Sequence, residues 1–227
     1  MAMTSLAFSQ GFLKRLASAL LLGPIALGLM VASKPTFLII WVPALLLAIY
    51  EWAGFVRGAK TGKVITAIIG LIYIPTAFGA MLALRFDDID PGWMTVLWVL
   101  LAVWASDTGA YIFGKAYGGP KLIPSVSPNK TWAGLGGAMV GAGLATMVFG
   151  LILYQMELGS FEYMRDFAMG TLLGLVCQIG DLFISVFKRR AGLKDTGTLI
   201  PGHGGILDRI DSLMLAAIFT FLILKLV

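Results

Sequence analysis

The sequence predicts an all-α, polytopic integral membrane bundle of about seven transmembrane helices around a polar cavity facing the cytosol. Three observations predict it. Of the 227 residues, 59% are hydrophobic and only 13% charged, about half the charged share of a soluble domain. Seven apolar runs reach or approach the roughly 20 residues a spanning helix needs, at about 16–33, 36–56, 64–84, 93–113, 133–154, 167–187 and 212–227. The segments between runs alternate between rich and poor in Lys and Arg, the pattern of a chain threaded repeatedly through a membrane.

Taken in order, Lys14 and Arg15 precede the first run. It reads as a retained span, because it is longer than the apolar core of a secretory signal. Arg57, Lys60 and Lys63 follow the second run; Lys115, Lys121 and Lys130 follow the fourth; Lys188, Arg189, Arg190, Lys194 and Arg209 follow the sixth. Thirteen of the 17 cations thus share one side, and Lys34, Arg85, Arg165 and Lys225 fall on the other. The excess places the N-terminus in the cytoplasm and the C-terminus outside. No polar stretch is long enough for a separate soluble unit. Residues 1–227 therefore read as one membrane domain, with N-terminal helices over 1–90 and site-bearing helices and loops over 91–227.

Several features carry bland readings. Cys177, the single cysteine, lies in an apolar run as a small hydrophobe. Glu51, beside Trp52 in the second run, reads as a helix-end carboxylate snorkelling to the interface. Asp87, Asp88 and Asp90, and later Glu157, Glu162 and Asp166, read as solvated outer turns. The fifth run carries Gly137 and Gly141 as GxxxG, a helix-packing or dimer face. No strand precedes its glycines, so they are no dinucleotide fingerprint.

The segment Asp181–Asp211 is different: between two apolar runs it gathers carboxylates, cations and the only histidine. Asp107 and Asp181 each sit seven residues before the polar end of their run, roughly 10 Å below the cytoplasmic edge. An Asp within a span costs about 2.5–3.5 kcal/mol at mid-helix, so two at matching depth predict a shared polar cavity. Asp208 and Asp211 follow at i, i+3 at the start of the last helix. Gathered near Asp181, such carboxylates would repel unless neutralised, and Mg²⁺ suits their hard oxygens, with room for a second cation. The competing reading is a set of ion pairs to the neighbouring lysines and arginines. His203, in Pro-Gly-His-Gly-Gly, is a candidate phosphate contact or proton-transfer group, with glycine amides free to face phosphate. Ser125–Thr131 reads as a turn carrying hydroxyls and one lysine. It lacks the P-loop spacing.

The run Ser185-x-Phe187-Lys188-Arg189, then Lys194-Asp195-x-Gly197, then Ile200-Pro201-x-His203-Gly204-Gly205-Ile206-x-Asp208-Arg209-x-Asp211 resembles the signature of the phosphatidate cytidylyltransferase family. Ser106-Asp107-Thr-Gly-Ala-Tyr111 and Ser127-Pro128-x-Lys130-Thr131 are similar to two further family segments, so the strong resemblance covers about 104–212. The chain departs from it at Ala133, where many members carry Glu or Gln. The resemblance implies that CTP and phosphatidic acid give CDP-diacylglycerol and pyrophosphate with Mg²⁺. It also implies a homodimer in the bacterial inner membrane, with an active site open to the cytosol and to lipid, and no nucleic-acid partner. Carried onto this chain, Asp181, Asp208, Asp211, Lys194 and His203 would be catalytic. Ser127, Lys130, Thr131, Lys188, Arg189, Gly204, Gly205 and Arg209 would bind substrate, and Asp107 would join Asp181, Asp208 and Asp211 around metal.

Two other readings compete. A CTP-dependent enzyme acting on another lipid, such as a CDP-archaeol synthase or a polyprenol kinase, would need a similar phosphate site. An ion-coupled transporter would also hold carboxylates in the membrane, but here they cluster at one face and no inverted pair of broken helices is evident.

Overall fold

The computed structural model describes residues 24–25, 27–87, 91–197 and 204–226. Six long helices account for most of them: α1 (Lys34–Gly58), α2 (Lys63–Arg85), α3 (Gly92–Tyr117), α4 (Trp132–Gln155), α5 (Tyr163–Arg190) and α6 (Leu207–Leu226). The first five contain the apolar runs expected there, and α6 contains the described part of the last. Five of them, α1 to α5, are long and apolar enough to cross a membrane. Helix α6 carries Asp208, Arg209 and Asp211 in its first five residues, which dilute its apolar content. The first expected span falls largely outside the described residues, although residues 27–32 are helical.

Local chemistry explains the boundaries. Ser33 caps α1 through a reciprocal capping box with Thr36, and Pro35 occupies the first turn, where its missing N–H is not needed. Gly62, at φ 70°, makes the left-handed turn into α2. Thr131 caps α4, its hydroxyl accepting from the Gly134 amide at 3.0 Å. Arg85, at the end of α2, is buried and donates to the carbonyls of Met30 (3.0 Å) and Val31 (3.4 Å). It thereby satisfies the last turn of the preceding helical stretch.

One element departs from expectation. The segment read as a turn is an antiparallel hairpin, β1 (Lys121–Ile123) against β2 (Ser127–Thr131), between α3 and α4. A strand reading Ser-Pro-Asn-Lys-Thr has no apolar alternation to announce it.

Two kinds of packing hold the bundle. Small residues bring α3, α4 and α5 close: a side chain on Gly109 or Gly137 would strike the other's backbone carbonyl, and one on Gly141 would reach the Ala105 carbonyl. Gly174 on α5 is closed in the same way by Ala138 of α4. The GxxxG face is therefore used inside the chain. Around α1, α2 and α5 the contacts are aromatic: Trp52 packs on Phe187 (ring centres 4.8 Å apart), Tyr73 on Phe183 (4.8 Å) and Trp41 on Phe78 (4.5 Å). The buried indole N–H groups of Trp41 and Trp52 donate to the carbonyls of Phe78 and Thr66, as most buried polar atoms do. Outward, Ile39, Leu46, Leu71 and Ile72 are over 60% exposed, an apolar perimeter that fits lipid and not water.

Candidate active site

The hairpin turns Lys130 back into the bundle. Its Nζ lies 2.7 Å from Asp181 Oδ2 and 2.7 Å from Gln178 Oε1, both on α5. Gln178 Nε2 donates to Ser106 Oγ of α3 (3.3 Å), and Ser106 Oγ donates to the Gly174 carbonyl (3.4 Å). Asp181 Oδ1 accepts from Ser185 Oγ at 3.2 Å. Three elements thus hold one ammonium in place, since each partner of Lys130 is itself anchored.

Beside this pair opens a cavity of about 540 Å³, lined by Asp107, Tyr111, Lys130, Thr131, Gln178 and Asp181 among others. Asp107 and Asp181 lie at similar distances from the ends of α3 and α5, and both line the one cavity. Asp107 is exposed to the cavity. Asp181 is in electrostatic reach of both Asp107 and Asp211. Among the described residues, Asp211 Oδ1 accepts from the Ser212 amide at 2.8 Å.

Asp208 is placed differently from its neighbour. Its Oδ1 meets Lys188 Nζ at 2.8 Å, both side chains being 10% exposed or less. Its Oδ2 accepts from the amides of Thr196 (2.7 Å) and Gly205 (3.0 Å) and lies 2.9 Å from Thr196 Oγ1. Both its oxygens are engaged by Lys188 and by the loop between α5 and α6. Three residues apart on α6, Asp208 addresses the preceding loop and Asp211 the bundle. Among the described residues, no group of three or more His, Cys, Asp or Glu side chains is arranged to hold a metal ion. The two ion pairs, Lys130–Asp181 and Lys188–Asp208, realise for those carboxylates the alternative of pairing with neighbouring cations.

Glu51 overturns its snorkelling assignment. It is 5% exposed, and its Oε1 accepts from the Ile206 amide at 2.7 Å. Its Oε2 accepts from the Leu207 amide (2.9 Å) and from Thr196 Oγ1 (2.7 Å). A carboxylate from α1 therefore caps the N-terminus of α6, where the helix dipole favours negative charge. The glycine loop is corrected with it: the Gly205 amide is taken by Asp208, and the next two amides by Glu51. Gly204, at φ 84°, and Gly205 leave room for these two carboxylates, which any side chain there would strike.

The other expected residues divide. Thr131 lines the cavity, but its hydroxyl caps α4. Ser127 begins β2 opposite Ile123. Arg189 donates to the carbonyls of Val126 (3.0 Å) and Leu193 (3.1 Å), tying the hairpin to the end of α5. Lys194 and Arg209 are exposed, and the charge of Arg209 acts on Asp107. His203 lies outside the described residues. Sequence reasoning missed Glu51, Gln178 and Thr196. Glu51 and Gln178 did carry a signal, being polar groups inside apolar runs that need partners.

The chain matches the model of the cytidylyltransferase family over residues 56–227. It is 35% identical over 211 residues to a phosphatidate cytidylyltransferase of Rickettsia conorii, covering 92% of this chain and 89% of that protein. It is 36% identical over 211 residues to that of Rickettsia bellii, with the same coverage. To that of Brucella suis it is 42% identical over 154 residues, 67% of this chain and 54% of that one. With these matches and a membrane bundle built around a lysine clamped beside a carboxylate-lined cavity, the chain belongs to the cytidylyltransferase family.

Proposed function

We propose that this protein is a multi-pass membrane enzyme that makes CDP-diacylglycerol from CTP and phosphatidic acid, releasing pyrophosphate. The observation that carries the reading is Lys130, fixed between Asp181 and Gln178 at the wall of a 540 Å³ cavity, in a chain of this family. A phosphate oxygen of phosphatidic acid attacks the α-phosphorus of CTP in line. The new P–O bond forms as the bond to the β-phosphate's bridging oxygen breaks, and pyrophosphate carries away that electron pair. The attacking phosphate monoester is already largely dianionic near neutral pH, so positioning and charge matter more than a general base.

Lys130 presents a fixed positive charge to an entering phosphate, and Lys194 and Arg209 add charge at the exposed loop. Lys188 and Asp208 hold that loop in place. The carboxylates of Asp107, Asp181 and Asp211 supply hard oxygens suited to Mg²⁺. That no ready three-carboxylate cage is formed among the described residues fits a metal that takes one or two carboxylates and completes its shell with water and substrate phosphates. When bound, Mg²⁺ would neutralise phosphate oxygens on the entering and leaving groups.

The same reading puts the N-terminus and the cavity on the cytoplasmic side of a bacterial inner membrane, supported by thirteen of 17 cations on that side. It includes a homodimer, whose contact lies away from Gly137 and Gly141 because those pack within the chain.

The test is incorporation of α-phosphate-labelled CTP into lipid by purified protein given phosphatidic acid and Mg²⁺. A labelled liponucleotide that disappears with EDTA is expected. Folded protein that labels a polyprenol or another lipid, and not phosphatidic acid, would overturn the substrate assignment.

A further inference from the structure

We infer that Glu51 is a positioning residue for the transfer reaction, acting from α1 on the loop between α5 and α6. This rests on the cytidylyltransferase reading for its catalytic consequence, but not for the tether itself.

Glu51 lies upstream of the 56–227 stretch that matches the family model, within the longer stretch aligned with the Rickettsia relatives. It makes three contacts of 2.7–2.9 Å, all to residues more than 140 positions away: Thr196 Oγ1 and the amides of Ile206 and Leu207. Those groups bracket the loop. Thr196 stands two residues after Lys194, and Ile206 and Leu207 directly precede Asp208, Arg209 and the turn that ends at Asp211. Its carboxylate therefore sets where the loop's exposed cations sit relative to the Asp181 cavity.

The tether is built as a two-carboxylate lock. Thr196 Oγ1 lies between Glu51 Oε2 (2.7 Å) and Asp208 Oδ2 (2.9 Å). Asp208 is in turn paired with Lys188 of α5. Glu51 thus joins α1, the loop, α6 and α5 through one connected set of contacts. The inner end of α1 is seated rigidly enough to serve as an anchor: Trp52 packs on Phe187 of α5, and a side chain on Gly58 would meet the Ala191 carbonyl at 2.8 Å. A bystander carboxylate in a membrane helix would turn to solvent. This one is buried with every contact directed to one loop.

The experiment compares full-length Glu51→Gln and Thr196→Val with Thr196→Ser, which keeps the hydroxyl. Hydrogen exchange of residues 193–197 and 204–209 and steady-state kinetics are measured on detergent-purified protein. Glu51→Gln and Thr196→Val are expected to raise exchange of those residues at least tenfold, with α3–α4 peptides unchanged. They should also lower kcat at least tenfold at saturating CTP and lipid. Thr196→Ser should stay within about twofold of wild type in both. Unchanged exchange in both disruptive variants would overturn the tether, and wild-type kcat per folded molecule with only a lowered Tm would overturn the positioning role. If the wild type itself makes no liponucleotide, the reaction assignment fails and the exchange measurement still decides the tether.

Discussion

Lys130 Nζ and Asp181 Oδ2 meet at 2.7 Å, joining a two-stranded hairpin to the C-terminal third of a membrane helix. The hairpin has no apolar face of its own to bury, so its lysine is part of what docks it on the bundle. Lys130→Met should therefore act twice: it removes the charge offered to phosphate and leaves Asp181 unpaired beside Asp107 and Asp211. Loss of one preorganised charge at a reacting phosphate is on the order of 10²–10³-fold in kcat. Label incorporation at saturating substrates measures it. A kcat within threefold of wild type would remove Lys130 from the phosphate-handling role.

Asp181→Asn and Asp107→Asn test the metal assignment. Each keeps shape and removes one hard anionic oxygen donor. Both should lose turnover by at least tenfold at 1 mM-scale Mg²⁺, on the order of the effect expected when a metal-site ligand environment is weakened, and partly recover as Mg²⁺ is raised. A Mg²⁺ titration of activity reads this directly. Variants whose activity falls without any change in the Mg²⁺ dependence would assign these carboxylates to orienting Lys130 instead.

Asp208→Asn addresses the second ion pair. Lys188 and Asp208 are both at most 10% exposed, so removing one charge strands the other in a buried place, at a cost of about 3–5 kcal/mol. The variant should melt well below wild type in detergent. The double variant Asp208→Asn, Lys188→Met removes the stranded charge, and its Tm should recover in part while activity stays low, because the Thr196 and Gly205 amides then meet a neutral oxygen in place of a carboxylate. Equal Tm values for the single variant and wild type would show that the pair contributes little.

Much of this architecture is legible in the sequence, and the exceptions have physical causes. The helices α1 to α5 appear where apolar runs of 20 or so residues demanded them, since lipid leaves the backbone no other way to satisfy its polar groups. Asp107 and Asp181 were legible for the same reason, as charges that membrane insertion penalises. The hairpin was not, because Ser127–Thr131 is held by Lys130 and Arg189 contacts instead of by its own pattern. The split between Asp208 and Asp211 was not either: i, i+3 spacing puts two side chains near one face but does not say that a loop folds back over the first. Glu51 escaped because its partners lie more than 140 residues on, and nothing local distinguishes a capping carboxylate from a snorkelling one.

Gly109 links the packing to the site. It lies two residues after Asp107 and is closed by the Gly137 carbonyl of α4, so the α3–α4 contact sets the depth and rotation of Asp107. Gly109→Val would have to push the helices apart, and overpacking of this kind costs about 1–3 kcal/mol. The displaced α3 would carry Asp107 and Ser106 with it, and Ser106 accepts from the Gln178 that orients Lys130. Gly109→Val should therefore lower both Tm and kcat. Gly79→Val, on α2 where nothing lies within 4 Å of the added carbon, should change neither beyond about 1 kcal/mol, the scale of a residue-propensity change in a helix. Thermal unfolding and label incorporation on the two variants separate a loss through the α3–α4 contact from a general intolerance of bulk in these helices. A Gly109 variant with wild-type kcat would mean that Asp107 is positioned by something other than this packing.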